Sequence, residues 1–115
     1  MDDATDVPLY TEFTGLKTRK LQTWIAVGGS ALNDPGTPTY TTFSDMSSTS
    51  ENRAAFISSI VAFMDQYGFQ GVDLDWETPT IQLRGGKPVD FTNIVQLVKE
   101  MRAAFGTKYG ISIAV

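Results

Sequence analysis

Three carboxylic acids sit two residues apart in the run Gly71-Val72-Asp73-Leu74-Asp75-Trp76-Glu77. In an extended chain Val72, Leu74 and Trp76 fall on one face, and Asp73, Asp75 and Glu77 on the other. At a rise of roughly 3.3 Å per residue, successive carboxylates stand about 6.5–7 Å apart. Crowded acids in a water-poor site are driven into different protonation states, which suits acid–base chemistry. Clustered carboxylates also suit Mg²⁺ or Ca²⁺. A wet acidic face on an edge strand would give the same alternation and no chemistry.

Two neighbouring features favour a site. The run follows a helix that stops at Gly68, so it reads as the second half of a helix–strand unit, where parallel strands are buried on both faces. Thr78-Pro79 then ends the strand just past Glu77. Acids at the C-terminal end of a parallel strand lie where α/β folds carry their chemistry.

The elements that must position this strand are legible on either side of it. Leu9, Phe13 and Leu16 predict a short amphipathic helix from about Val7 to Lys17, with Lys17, Arg19 and Lys20 at its C-terminal end. Thr23-Trp24-Ile25-Ala26-Val27, closed by Gly28-Gly29, predicts a buried strand. Turn formers fill Ser30 to Ser47 and predict one long loop. Ser48 and Glu51 have capping-box spacing for a helix to Tyr67, with Phe56, Ile60, Phe63, Met64 and Tyr67 inward and Gly68 as its stop. After a second turn at Gly85-Gly86-Lys87-Pro88, Asp90 is expected to cap a helix. Ile94, Leu97, Val98, Met101 and Phe105 form its inward stripe and Gly106 its stop. Ile111-Ser112-Ile113-Ala114-Val115 predicts a last strand. Helices alternating with strands imply an α/β architecture, a parallel sheet with helices outside.

Composition narrows the chemistry. With 115 residues, 42% hydrophobic and 19% charged, the chain suits one small globular core. It has no histidine and no cysteine, which removes serine–histidine triads, thiol nucleophiles, disulfides and the usual zinc sites. A net charge of −4 argues against nucleic acid or an anionic membrane as partner. No apolar run approaches the roughly 20 residues of a membrane helix. Met1-Asp2-Asp3 lacks the basic start of a secretory signal.

The acidic run resembles the catalytic-strand signature of glycoside hydrolase family 18, the chitinases, written D-G-x-D-x-D-W-E. Ala26-Val27-Gly28-Gly29 resembles that family's S-x-G-G signature on the preceding strand. Asn33-Asp34-Pro35-Gly36, Phe43-Ser44-Asp45-Met46 and Asn52-Arg53-Ala54-Ala55-Phe56 are similar to fungal, killer-toxin-like members. The resemblance implies that residues 1–115 are part of a (β/α)8 barrel of about 250 residues. About three strands and three helices, roughly the third to fifth barrel strands, would be present, and the rest of the barrel missing. It implies Glu77 as general acid/base, Asp75 as the carboxylate that orients the substrate's N-acetyl group, and Asp73 as the buried partner of Asp75. Such substrate-assisted enzymes stand outside the two-carboxylate scheme. Trp76, Gly28, Gly29 and Thr78 are the expected substrate-binding positions. Chitin or chitooligosaccharides are the expected partners, with no metal and no cofactor, and the expected location is extracellular.

Four positions depart from the family pattern. Gln70 stands for the leading Asp, Ala26 for Ser, Ser30 for a frequent Trp, and Thr78 for a frequent Tyr. The first two are expected to weaken support for Asp73. A catalytically impaired carbohydrate-binding or toxin-associated protein on the same fold is therefore the alternative.

Overall fold

A computed structural model describes residues 3–18, 20–76 and 86–114. The elements run α1 (Asp3–Thr14), β1 (Trp24–Gly28), a 3-10 turn (Ser30–Asn33), α2 (Thr42–Ser47), α3 (Ser50–Tyr67), β2 (Gly71–Asp75), α4 (Asp90–Phe105) and β3 (Gly110–Ala114). The strands form a parallel sheet in the order β1-β2-β3, so the acidic strand is central. The register aligns Trp24, Gly71 and Gly110; Ala26, Asp73 and Ser112; and Gly28, Asp75 and Ala114 in rows across the sheet.

Helices cover one face. Val72, Leu74 and Trp76 of the central strand pack into a cluster with Ile57, Ile60 and Met64 of α3 and Ile94, Leu97, Met101 and Phe105 of α4. Burying each such side chain contributes about 1.5–3 kcal/mol. The Arg53 guanidinium links the same helices: it binds the Glu100 carboxylate of α4 and donates to the Ser47 carbonyl at the end of α2, 2.9 Å away. The helix stripes match their expected faces, although Phe56, Phe63, Tyr67 and Val98 are only half-buried.

The start of α3 lies one residue later than the spacing predicts. Thr49, not Ser48, is its cap, and its hydroxyl accepts from the Asn52 N–H at 3.1 Å. The Ser48 hydroxyl instead closes α2 by donating to the Asp45 carbonyl. Gly68 ends α3 at φ 83°, and the N–H groups of Gly68 and Phe69 both donate to the Met64 carbonyl.

Three further expectations are corrected. The segment from Ser30 to Ser47 is not one loop: it contains the 3-10 turn and α2, which buries Phe43, Ser44 and Ser47. Asp90 does not cap α4 but is its first residue. Its fully buried carboxylate accepts from the Lys87 N–H at 2.6 Å and the Ser44 hydroxyl at 2.9 Å, tying α2 to the start of α4.

The third concerns α1, which begins a turn before Val7 and runs through Pro8. Its inward residues are Tyr10, which packs edge-on to Phe63 and Phe69, and Thr14, whose hydroxyl donates to the Tyr67 carbonyl at 2.7 Å. Leu9, Phe13 and Leu16 are exposed. With Trp24, Ile25 and Phe69 they line a groove of about 560 Å³ beside β1. Lys17 does not serve the end of its own helix but donates to the Gly68 carbonyl past the end of α3. Among the described residues, no helix is long and apolar enough to cross a membrane.

Candidate active site

Apart from Trp24, the face of the sheet away from the helices is built of small and polar residues. At the N-terminal ends of the strands, the Trp24 indole lies flat across Gly71 and Gly110, and a β-carbon at either glycine would run into it. One layer further along, Asp73 stands between Ala26 and Ser112. At the C-terminal ends, Asp75 stands between Gly28 and Ala114. Asp73 and Asp75 are half-buried and share this open face, as the alternation predicts.

The glycines at the end of β1 set how closely it meets β2. Gly28 adopts φ 107°, and a β-carbon there would lie 2.6 Å from the Asp75 carbonyl and 2.7 Å from the Phe43 ring. Gly29, at φ 109°, donates its N–H to that carbonyl at 2.9 Å. A β-carbon on Gly29 would approach Asp75 Oδ2 to 3.8 Å, so the bare backbone leaves the carboxylate open at the strand end. The arrangement therefore presents two carboxylates, one above the other, along an open, glycine-edged face.

The remaining expected site residues divide. Glu77 and Thr78 lie outside the described residues. Trp76 lies on the other side of the strand: it is 2% exposed and stacks on Phe43 with ring centroids 5.3 Å apart. The expectation of a sugar contact from Trp76 is corrected, because the period-two alternation that exposes Asp75 turns Trp76 into the helix-covered core.

Gln70 is corrected as well. Its side-chain oxygen accepts from the Thr23 N–H at 3.1 Å and its backbone N–H donates to the Thr23 carbonyl at 2.8 Å. It shares parity with Val72, so it joins β1 to β2 and does not adjoin Asp73. Ala26 does adjoin Asp73, as expected, and brings no hydroxyl.

Ser112 was not singled out from the sequence, yet its hydroxyl donates to Asp73 Oδ1 at 2.6 Å. Its place between Ile111 and Ile113 marks a polar side of that strand, but only the pairing register sets it against Asp73. Two grooves of about 560 and 540 Å³ flank α1 along β1 rather than the carboxylates. They report on unfilled packing space.

The family model of the glycosyl hydrolases of family 18 matches residues 1–115. Chitotriosidase-1 of Mus musculus is 40% identical over 102 residues, covering 87% of this chain and 20% of its own length. An oviduct-specific glycoprotein of Mus musculus is 39% identical over 99 residues, covering 84% of this chain and 13% of its own. Catalytic domain 2 of the Ostrinia furnacalis Group II chitinase superposes with a TM-score of 0.82 at 32% identity, over 99% of this chain and 30% of that one. A mutant of that domain, equally similar, is solved in complex with penta-N-acetylchitooctaose. The chain thus spans a fifth or less of these two curated relatives and about three tenths of the solved domain. Its open three-stranded sheet is part of a (β/α)8 barrel, and the chain belongs to the glycosyl hydrolases of family 18.

Proposed function

We propose that this chain supplies the catalytic strand of a chitinase that hydrolyses β-1,4 linkages between N-acetylglucosamine units with help from the substrate's own acetamido group. The observation that carries the reading is the pair Asp73 and Asp75 on one open face at the C-terminal end of a parallel strand, beside Gly28 and Gly29. In this reading Asp75 orients the acetamido group so that its carbonyl oxygen attacks the anomeric carbon. Glu77 protonates the departing glycosidic oxygen and later takes a proton from the water that opens the cyclic intermediate. Asp73 holds Asp75. Gly28, Gly29 and Thr78 border the sugar.

Residues 1–115 act as about the third to fifth strands of the barrel. The other strands and helices would cover the exposed Leu9, Phe13 and Leu16. The segments around Asn33-Asp34-Pro35-Gly36 and Asn52-Arg53-Ala54-Ala55-Phe56 support a place among fungal, killer-toxin-like chitinases. Action on chitin, an extracellular polymer, goes with an extracellular location.

The test is Glu77→Gln in a chain extended to the complete barrel. The amide keeps shape and hydrogen bonding but delivers no proton, so turnover of chitooligosaccharides should fall about 10²–10⁴-fold with affinity retained. Substrates with activated leaving groups should recover part of the loss, and the parent should prefer N-acetylated to deacetylated polymer. Undiminished cleavage by Glu77→Gln, or equal cleavage of deacetylated polymer by the parent, would overturn the assignment.

A second reading is a sugar-binding protein with little turnover. Ala26 beside Asp73 favours it, because a hydroxyl of the family pattern is absent at the inner carboxylate. Similarity to an oviduct-specific glycoprotein shows that sequence likeness at this level also reaches proteins not named as chitinases. Chitooligosaccharide binding without turnover in the complete parent barrel would decide for it.

A further inference from the structure

We infer that Ser112 is a positioning residue of the carboxylate site, holding Asp73 from the following strand in place of a hydroxyl on the preceding one. The inference rests on the functional reading above and deepens it. Asp73 has one neighbour in register on each side. On the β1 side the neighbour is Ala26, whose methyl group offers nothing to a carboxylate. On the β3 side the Ser112 hydroxyl donates to Asp73 Oδ1 at 2.6 Å. That separation lies within the 2.5–2.7 Å range of hydrogen bonds from a hydroxyl to a charged acceptor.

The bond has the features of a placement device. It joins two strands, with donor and acceptor 39 positions apart, so it is not the local bond to backbone that serine commonly makes. It lies on the open face, where Ser112 is exposed and contributes nothing to the helix-covered core. Its neighbours on the same side of β3, Gly110 and Ala114, carry no polar side chain. A carboxylate with one oxygen anchored sideways loses rotamer freedom, and its second oxygen is directed consistently. Asp73 is then held in place on the same face as Asp75, the group that in the functional reading must hold the acetamido substituent in an attacking geometry. Misplacement of such a group costs rate rather than ground-state affinity.

The test uses the complete barrel that contains this chain, with N-acetylated chitooligosaccharides as substrate. Ser112→Ala should lower kcat about 10- to 100-fold, the range for losing one hydrogen bond to a charged group, with KM little changed and the melting temperature kept. Ser112→Thr should recover most of the loss. Adding Ala26→Ser to Ser112→Ala should also recover much of it, because a hydroxyl on the other neighbouring strand can reach the same carboxylate. A packing role would not be rescued from the opposite side. Parental kcat in Ser112→Ala, or a Ser112→Ala defect that Ala26→Ser leaves untouched, would overturn the inference.

A measurement without turnover separates this inference from the functional reading. The Ser112 hydroxyl proton should exchange slowly with solvent in NMR spectra of the parent and lose that protection in Asp73→Ala. If the parent fails to cleave chitooligosaccharides, the functional reading falls and Ser112 is judged by this proton. A fast-exchanging hydroxyl in the parent would sink the proposed bond by itself.

Discussion

The two faces of β2 follow different rules although they alternate along one five-residue strand. On the helix side Val72, Leu74 and Trp76 are at most 2% exposed and each is enclosed by side chains of α2, α3 or α4. On the open side Asp73 and Asp75 remain half-buried, flanked by Ala26, Gly28, Ser112 and Ala114. The first face is filled for density. The second is kept small so that charged groups can be placed and approached. A strand that carries chemistry therefore needs one face fixed firmly enough to hold the other in register.

The sharpest way to break this comparison is on the packed side. Leu74→Ala in the complete barrel removes a side chain that is 1% exposed, and the cavity should cost about 2–5 kcal/mol of stability. Folded Leu74→Ala protein should keep kcat near that of the parent. A large loss of kcat with unchanged stability would mean that the two faces are not separable.

The opposite outcome is expected for Asp75→Asn. Its carboxylate lies on the open face beside Gly29, outside the core, so the denaturation midpoint should move little. Turnover should fall on the order of 10²–10³-fold, as when a preorganised electrostatic group is removed. Activated leaving groups should rescue it less than they rescue Glu77→Gln, because the loss falls on intramolecular attack. Strong rescue would move Asp75 out of that role.

How much of this was legible beforehand depends on whether a residue's partner lies near it in sequence. The stops at Gly68 and Gly106, and the stripes through Ile60, Met64, Leu97 and Met101, are local signals and are found where expected. So is the alternation that separates Asp73 and Asp75 from Val72 and Leu74. The face of α1 was misjudged because Leu9, Phe13 and Leu16 satisfy helical spacing just as Tyr10 and Thr14 do. Only the position of α3 decides which set turns inward. α2 is six residues long and rich in turn formers, so too short for a periodic signal. Ser112 and Gln70 needed the strand register, one to be recognised and the other to be removed from the inner shell.

Gln70 gives a prediction of intermediate size. Its side-chain oxygen is engaged by the Thr23 N–H, so Gln70→Asp and Ala26→Ser should combine additively in activity, within about 0.3–0.5 kcal/mol. Coupling beyond that would return Gln70 to the carboxylate network. A control far from both faces is Thr49→Ala, which removes the α3 cap bond to Asn52 and should cost about 1 kcal/mol of stability with kcat intact.

The smallest effect belongs to a cluster beside the turn before β3, in which Asp65 and Lys108 are exposed and Tyr109 is buried. Lys108 Nζ at 2.9 Å and the Tyr109 hydroxyl at 2.7 Å both donate to Asp65 Oδ1, joining α3 to the turn before β3. The Tyr109 hydrogen bond first, and Lys108 second, hold the Asp65 carboxyl below its ordinary value of 3.8. Its contribution to stability is present above that value and is lost as pH falls through the lower folded one. The bond to Asp65 raises Lys108 above 10.5, while burial, then the bond to Asp65, raises Tyr109 above 10.0. Their contributions are full below those values and are lost as pH rises through the higher folded ones. Stability from this cluster should therefore hold across the neutral range and decline at both ends. The exposure of Asp65 and Lys108, and screening by salt, keep it small. Urea midpoints of the parent and Asp65→Asn should differ slightly near pH 7, converge in strong acid, and draw together in about 1 M salt. A gap between the two that persists unchanged in acid would assign the stabilisation to something other than the Asp65 charge.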